Sequence, residues 1–159
     1  MASGTDHDID IVAWATENAA AMRASLPRLE AAATASNLPP IDWENVVEEI
    51  EELAKSLRRE LASRISTILV HLLKLEASPA TDPVPGWRAT IRRERAEVER
   101  LLEDAPSLRL IVPDVVAREL RRARHMLADE LADFGETPRV AVAPLIYGED
   151  QVLGDWWPD

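Results

Sequence analysis

The chain has 159 residues, a net charge of −11 and no cysteine. That length suits one compact domain with a real core, and the missing cysteine removes disulfide frameworks and every thiolate-bound zinc or iron–sulfur site. The negative charge argues against a duplex DNA or RNA partner, whose affinity comes largely from Lys and Arg on phosphates.

Residues 1–7 read as a disordered lead-in to a single all-helical domain spanning 1–159. Asp8 or Asp10 is placed to cap a first helix, in which Ile11, Trp14, Ala15, Ala19, Met22 and Leu26 recur at helical spacing. Arg23 and Arg28 lie near its end, where a cation suits the helix dipole. Residues 29–35 either prolong this helix past Pro27 or form a short second piece, since the alanine run favours helix. Asn37-Leu38-Pro39-Pro40 is a connector, and its prolines cannot continue a helix from behind.

Residues 42–76 are the spine of the chain, a run free of Gly and Pro that would make a rod of about 50 Å. Asp42 offers an acceptor to the first free N–H groups of that helix. In its first half Trp43, Val46, Val47, Ile50, Leu53, Ala54, Leu57 and Leu61 share one side, with Glu48, Glu51, Glu52, Lys55 and Arg59 elsewhere. In its second half Ile65, Ile68, Leu69, Val70, Leu72, Leu73 and Leu75 surround the axis almost completely. A helix of that kind is covered by neighbours, and each buried Leu or Ile contributes about 1.5–3 kcal/mol, so the densest core is expected here. Arg64 and His71 stand on the edge of the apolar side, with Glu60 one turn before Arg64. Either they are core-margin groups satisfied by carboxylates or backbone carbonyls, or His71 marks a ligand or proton-transfer site.

Residues 78–86 hold three prolines and a glycine and form a loop. The next helix is expected from near Trp87 to about Asp104, with Trp87, Ile91, Val98, Leu101 and Leu102 as its stripe and Arg88 and Glu94 flanking it. Arg95 fills the stripe position between Ile91 and Val98. An arginine left unpaired in the interior costs several kcal/mol, so Arg95 snorkels to solvent, pairs with Glu49 or Glu60 of the spine, or binds an anionic ligand. Pro106-Ser107 opens a further segment and Asp114 marks a renewed start. Val116, Leu120, Ala123, Leu127 and Leu131 then make a fourth long helix ending before Gly135, with His125 on its exposed, charged face. Residues 137–144 are extended or irregular, with one short strand as an option, and 148–153 supply one or two helical turns. Trp156-Trp157 close the chain as a lid over a groove between helices. The fold class is therefore all-α: a bundle of four main helices with short extra helical pieces and an irregular C-terminal tail.

Sixteen of the 18 basic residues are arginines, gathered at 88–100 and 118–124, while acids gather at 44–52. Such stretches are expected to face each other or a shared partner, because Arg pairs bidentately with carboxylates. No stretch reaches the length of a membrane span, and no leader joins basic residues to an apolar run, so a cytoplasmic protein without a membrane partner is expected.

Several segments together resemble the bacterial family catalogued as domain of unknown function 29. They are residues 10–14 with the helix that follows, IDWENVVEEIEEL at 41–53, LVHLLK at 69–74, GWRATIRRERAEVERLLEDAPSLR at 86–109, and the ending DQVLGDWWP. The resemblance implies an all-helical domain, generally bacterial, with no activity attached to the family's name. Its recurring polar positions fall on Glu48, Glu49, Glu52, His71, Trp87, Arg88 and Arg95. The chain departs from the family pattern in a connector at 27–40 that is longer and richer in Ala and Pro, and in lacking an aromatic near Ile11-Val12.

Known chemistries find few of their parts. A di-metal carboxylate bundle needs Glu-x-x-His, but Ile68 stands three before His71 and Arg122 three before His125. Glu-x-x-Glu occurs as Glu48/Glu51 and Glu49/Glu52, a pair that magnesium-dependent nucleotide pyrophosphohydrolases use alongside a second acidic pair. The later Glu130/Asp133 lies far downstream. There is no Gly-rich phosphate loop and no nucleophile elbow, and with three His and no Cys nucleophilic catalysis lacks its usual groups. No metal site and no cofactor are expected. The candidate polar cluster is Glu49, Glu52, Glu60, Arg64, His71, Arg88 and Arg95. It either fixes helix register in a protein-interaction or regulatory module, self-associating or binding another protein, or it lines a pocket for a small anion, nucleotide or metal ion. Interaction is favoured over catalysis. The alternative is a small-ligand, nucleotide or metal-dependent enzyme, pyrophosphohydrolase-like, using the acids at 48–52 and His71.

Overall fold

The computed structural model describes residues 6–36, 39 and 41–158. Most of the expected lead-in, and Asn37, Leu38 and Pro40 of the connector, lie outside them. Among the described residues five α-helices, four of them long, and one 3-10 helix follow in order: α1 (Ile11–Ala35), α2 (Trp43–Ala77), α3 (Val84–Asp104), the 3-10 helix Pro106–Ile111, α4 (Val112–Asp133) and α5 (Glu149–Leu153). No strand occurs among the described residues, so 137–144 is irregular and the chain is all-α.

Each boundary has a local cause. The Asp10 carboxylate accepts from the Ala13 N–H at 2.8 Å and caps α1. Asp42 does the same for α2 through the Asn45 N–H at 3.1 Å. Helix α1 runs unbroken through Pro27, because the alanine-rich turns beyond it propagate helix readily. Helix α3 begins at Val84, three residues before the expected Trp87, because Pro85 in a first turn gives up an N–H that has no partner there. Pro113 plays the same part at the start of α4. At the end of α4, Gly135 takes φ 64°, which a side chain would resist. The Glu136 N–H then reaches the Leu131 carbonyl at 2.8 Å and the Gly135 N–H reaches Ala132 at 3.0 Å, a Schellman closure.

The chain groups into two compact units, Met1–Arg59 with Asp104–Leu108 and Glu60–Glu103 with Arg109–Asp159, so the boundary falls inside α2. In the first unit Val12, Ala15, Ala19, Val47 and Ala54 are buried. Arg23 bonds Glu51 at 3.0 Å and Arg58 bonds the Thr16 hydroxyl at 3.3 Å, which ties α1 to the first part of α2. Asp10 also accepts from the backbone N–H and the hydroxyl of Ser107. The expected stripe is only partly covered, since Val46 and Leu53 remain 38% and 36% exposed.

The second unit holds the larger side chains. Leu61, Ile65, Ile68, Leu69, Leu72 and Leu73 of α2 are fully buried, with Ile91, Val98, Val112 and Leu127 from α3 and α4. The dense core expected in the C-terminal half of the spine is therefore present. Lys74 of α2 reaches Glu130 of α4 at 2.8 Å, and the Arg139 N–H reaches the Ala77 carbonyl at 2.8 Å.

Candidate functional site

Arg88, Arg92 and Arg95 lie at i, i+4 and i+7 of α3, close enough in angle to share a face. The ring of Trp157 lies against it, with the guanidinium carbons of Arg88 and Arg95 each 5.0 Å and that of Arg92 5.8 Å from its centroid. These contacts are of the cation–π kind. Arg95 is held further. Its Nε donates to the Val152 carbonyl at 2.9 Å, and its Nη2 donates to Gln151 at 2.8 Å and Trp156 at 2.9 Å. Helix α5 has five residues, so the carbonyls of its last turn have no partners within the helix, and a guanidinium there satisfies them and complements the dipole. Pairing of Arg95 with Glu49 or Glu60, one of the expected options, is replaced by these carbonyls. Burial pulls the Arg95 guanidinium below its ordinary value, and the Asp155 carboxylate offsets part of that. A glycine is required nearby: a Cβ at Gly154 would meet the Asp150 carbonyl oxygen at 2.5 Å. Beside this assembly is a cleft of about 610 Å³ lined by Arg92, Arg95, Arg109 and Trp157 and also by Glu99, Asp150 and Asp155.

A second group forms around Arg64. Its Nε and Nη2 donate to Glu60 at 3.0 and 2.7 Å, and its Nη1 donates to Glu94 at 3.0 Å. Glu94 is buried and also accepts from Arg93 at 3.0 Å. The Glu60 carboxylate raises the Arg64 guanidinium above its ordinary value, against the effect of burial, and Glu94 adds to it. His71 is half-buried, and its Nδ1 lies 2.8 Å from the Thr67 carbonyl one turn back. Nearby on α2, Glu76 accepts from the buried Tyr147 hydroxyl. Burial and the adjacent Glu76 charge push that phenol well above its ordinary value.

The seven expected residues thus fall into separate groups. Glu60 and Arg64 meet each other, Arg88 and Arg95 meet Trp157, and His71 bonds to its own helix. Glu49 is exposed on the first part of α2. Glu52 is also exposed there, and the hydrogen bond from Arg59 holds its carboxyl below the ordinary value. The ion pairs of the acidic stretch run to Arg23, Lys55 and Arg59, which lie on the neighbouring helix or within two turns along α2. Among the described residues no group of three or more His, Asp or Glu is placed to hold a metal ion.

The expected cluster left out Glu94, placed only as flanking the stripe of α3, and Glu119, and both are buried. Glu119 accepts from Arg118 at 2.8 Å and Arg122 at 3.0 Å. Spacing could have found them: Glu94 sits three after Ile91 and four before Val98, and Glu119 three after Val116 and four before Ala123.

These elements define an all-α protein whose buried ionic side chains are engaged with one another and with backbone groups. The model of the family described as domain of unknown function DUF29 matches residues 7–157, and the chain belongs to that family. The fold is similar to that of an alpha-helical protein of unknown function from Rhodospirillum rubrum, known from a crystal structure. The TM-score is 0.70 at 24% identity, over 95% of this chain and 90% of that one. No curated protein matches the chain. Among the described residues no helix is long and apolar enough to cross a membrane.

Proposed function

We propose that this protein is a cytoplasmic protein-interaction module in which the Glu and Arg side chains hold helices and tail in register. The observation that supports this most is the use Arg95 makes of its donors. They go to three carbonyls of the tail, so the residue best suited to a ligand is committed to the fold. Arg64 is committed in the same way to Glu60 and Glu94. Leu110, Phe134 and Ile146 are 83%, 74% and 76% exposed, and these are the apolar side chains that a partner, a second copy or another protein, would cover.

Replacing Arg95 by Met tests the register role. Three charge-assisted bonds are lost and the carbonyls of the buried Val152 and the half-buried Gln151 and Trp156 lose their donor, so the melting temperature falls, and Arg95→Lys does not restore it because an ammonium lacks the planar fork. Stability that holds or rises in Arg95→Met is what a ligand site would give, and it would overturn the reading. Light scattering across protein concentration tests self-association, which Phe134→Ser with Ile146→Ser weakens.

A further inference from the structure

The cleft beside Trp157 gathers arginines, but carboxylates line it as well, so its charges compensate one another. A smaller cavity of about 280 Å³ beside α4 is different. Its lining is Arg121, Arg124, His125, Ala128, Val142 and Ala143, with no carboxylate among them. In a chain of net charge −11, three basic side chains around one space without an acid are a local excess of positive charge.

Arg121, Arg124 and His125 stand at i, i+3 and i+4 of α4 and so are neighbours on one face. Their donors are only partly used. Arg124 gives Nη2 to the Leu145 carbonyl, while its Nε is buried with no partner among the described residues. Arg121 makes one long bond, Nη1 to the Ala117 carbonyl at 3.2 Å. His125 is exposed and has no hydrogen bond or ion pair among the described residues.

We propose that this cavity binds a phosphate-class oxyanion, as free inorganic phosphate or as the phosphoryl group of a small monoester. The Arg121 guanidinium, the His125 imidazole and the part of the Arg124 guanidinium not given to Leu145 are three donor groups around one space, and a tetrahedral phosphate presents an oxygen to each. The volume exceeds that of a bare ion, and Ala128, Val142 and Ala143 supply an apolar wall for a few carbons. The site is independent of the interaction reading, since none of its residues takes part in the Arg64 or Arg95 groups.

The test is an NMR titration of the full chain at constant ionic strength with inorganic phosphate, glycerol 3-phosphate and acetate. Either phosphate compound should give a saturable shift of the methyl resonances of Ala128, Val142 and Ala143, which line the cavity and persist in the variants. Arg121→Gln and His125→Gln, both at exposed positions, should each weaken it tenfold or more. Tighter binding of glycerol 3-phosphate assigns the monoester and tighter binding of inorganic phosphate assigns the free ion, and both support the site. No saturable shift with either compound, saturation by acetate at the same concentration, or binding unchanged in both variants overturns it.

Discussion

Asp10 concentrates several duties in one carboxylate. It caps α1 and holds the N–H and hydroxyl of Ser107, and it is buried. Burial alone would raise its pKa, but the N–H groups of Ala13 and Ser107 and the Ser107 hydroxyl outweigh that and leave it below the ordinary 3.8. A lowered folded-state pKa contributes stability that is complete above the unfolded value and fades as pH falls through the folded one. Asp10→Ala should cost about 1–3 kcal/mol in urea unfolding at pH 7, and that deficit should shrink below pH 3.8. An equal deficit at pH 7 and pH 2.5 would contradict the assignment. Tyr147 works in the opposite sense. Its folded-state pKa lies above the ordinary 10.0, so its contribution is complete below that value and is lost as pH rises beyond it. Tyr147→Phe should remove this alkaline dependence and cost about 1–2 kcal/mol at neutral pH, because Glu76 loses its donor.

Among the elements, α1 is the one that overrides a local rule. Proline inside a helix costs about 3 kcal/mol relative to alanine, of which up to about 1 is returned because proline also restricts the unfolded chain. Pro27 is exposed and no packing depends on its ring, so Pro27→Ala should stabilise the protein by about 2 kcal/mol in the same urea experiment. No gain would mean that the helix is already broken in solution at that point. Helix α2 shows how one element can carry two environments. Up to Arg59 its buried positions are few and small, and from Leu61 onward large side chains are covered on nearly every side. The change of pattern from one-sided to all-round apolar is plain in the residues themselves.

For the molecule as a whole, the distribution of buried volume sets an order of opening. The first unit buries mainly Val and Ala, and the second buries a run of Leu and Ile, each contributing about 1.5–3 kcal/mol. Native-state hydrogen exchange should therefore release the amides of α1 well before those around Leu69 and Leu72. Equal protection of α1 and the Leu69 region would show that the two units open as one.

The existence of the helices, a cap at Asp8 or Asp10 and another at Asp42, the stop at Gly135 and the buried half of α2 were all legible in the chain. The caps and the stop rest on contacts within a turn or two, and the covered half of α2 shows itself as apolar residues on nearly every side, so capping chemistry and periodicity describe them. The partner of a buried charge is another matter. Arg95 finds carbonyls 56 to 61 positions away, and Tyr147 finds Glu76 across 71. Spacing marks such a residue as needing a partner, because an unpaired charge in the interior is costly. Which group answers depends on where distant segments come to lie, and no local pattern encodes that. Only packing therefore decided that the expected cluster would separate into an Arg64 group and an Arg95 group, and that three basic side chains of α4 would share one cavity.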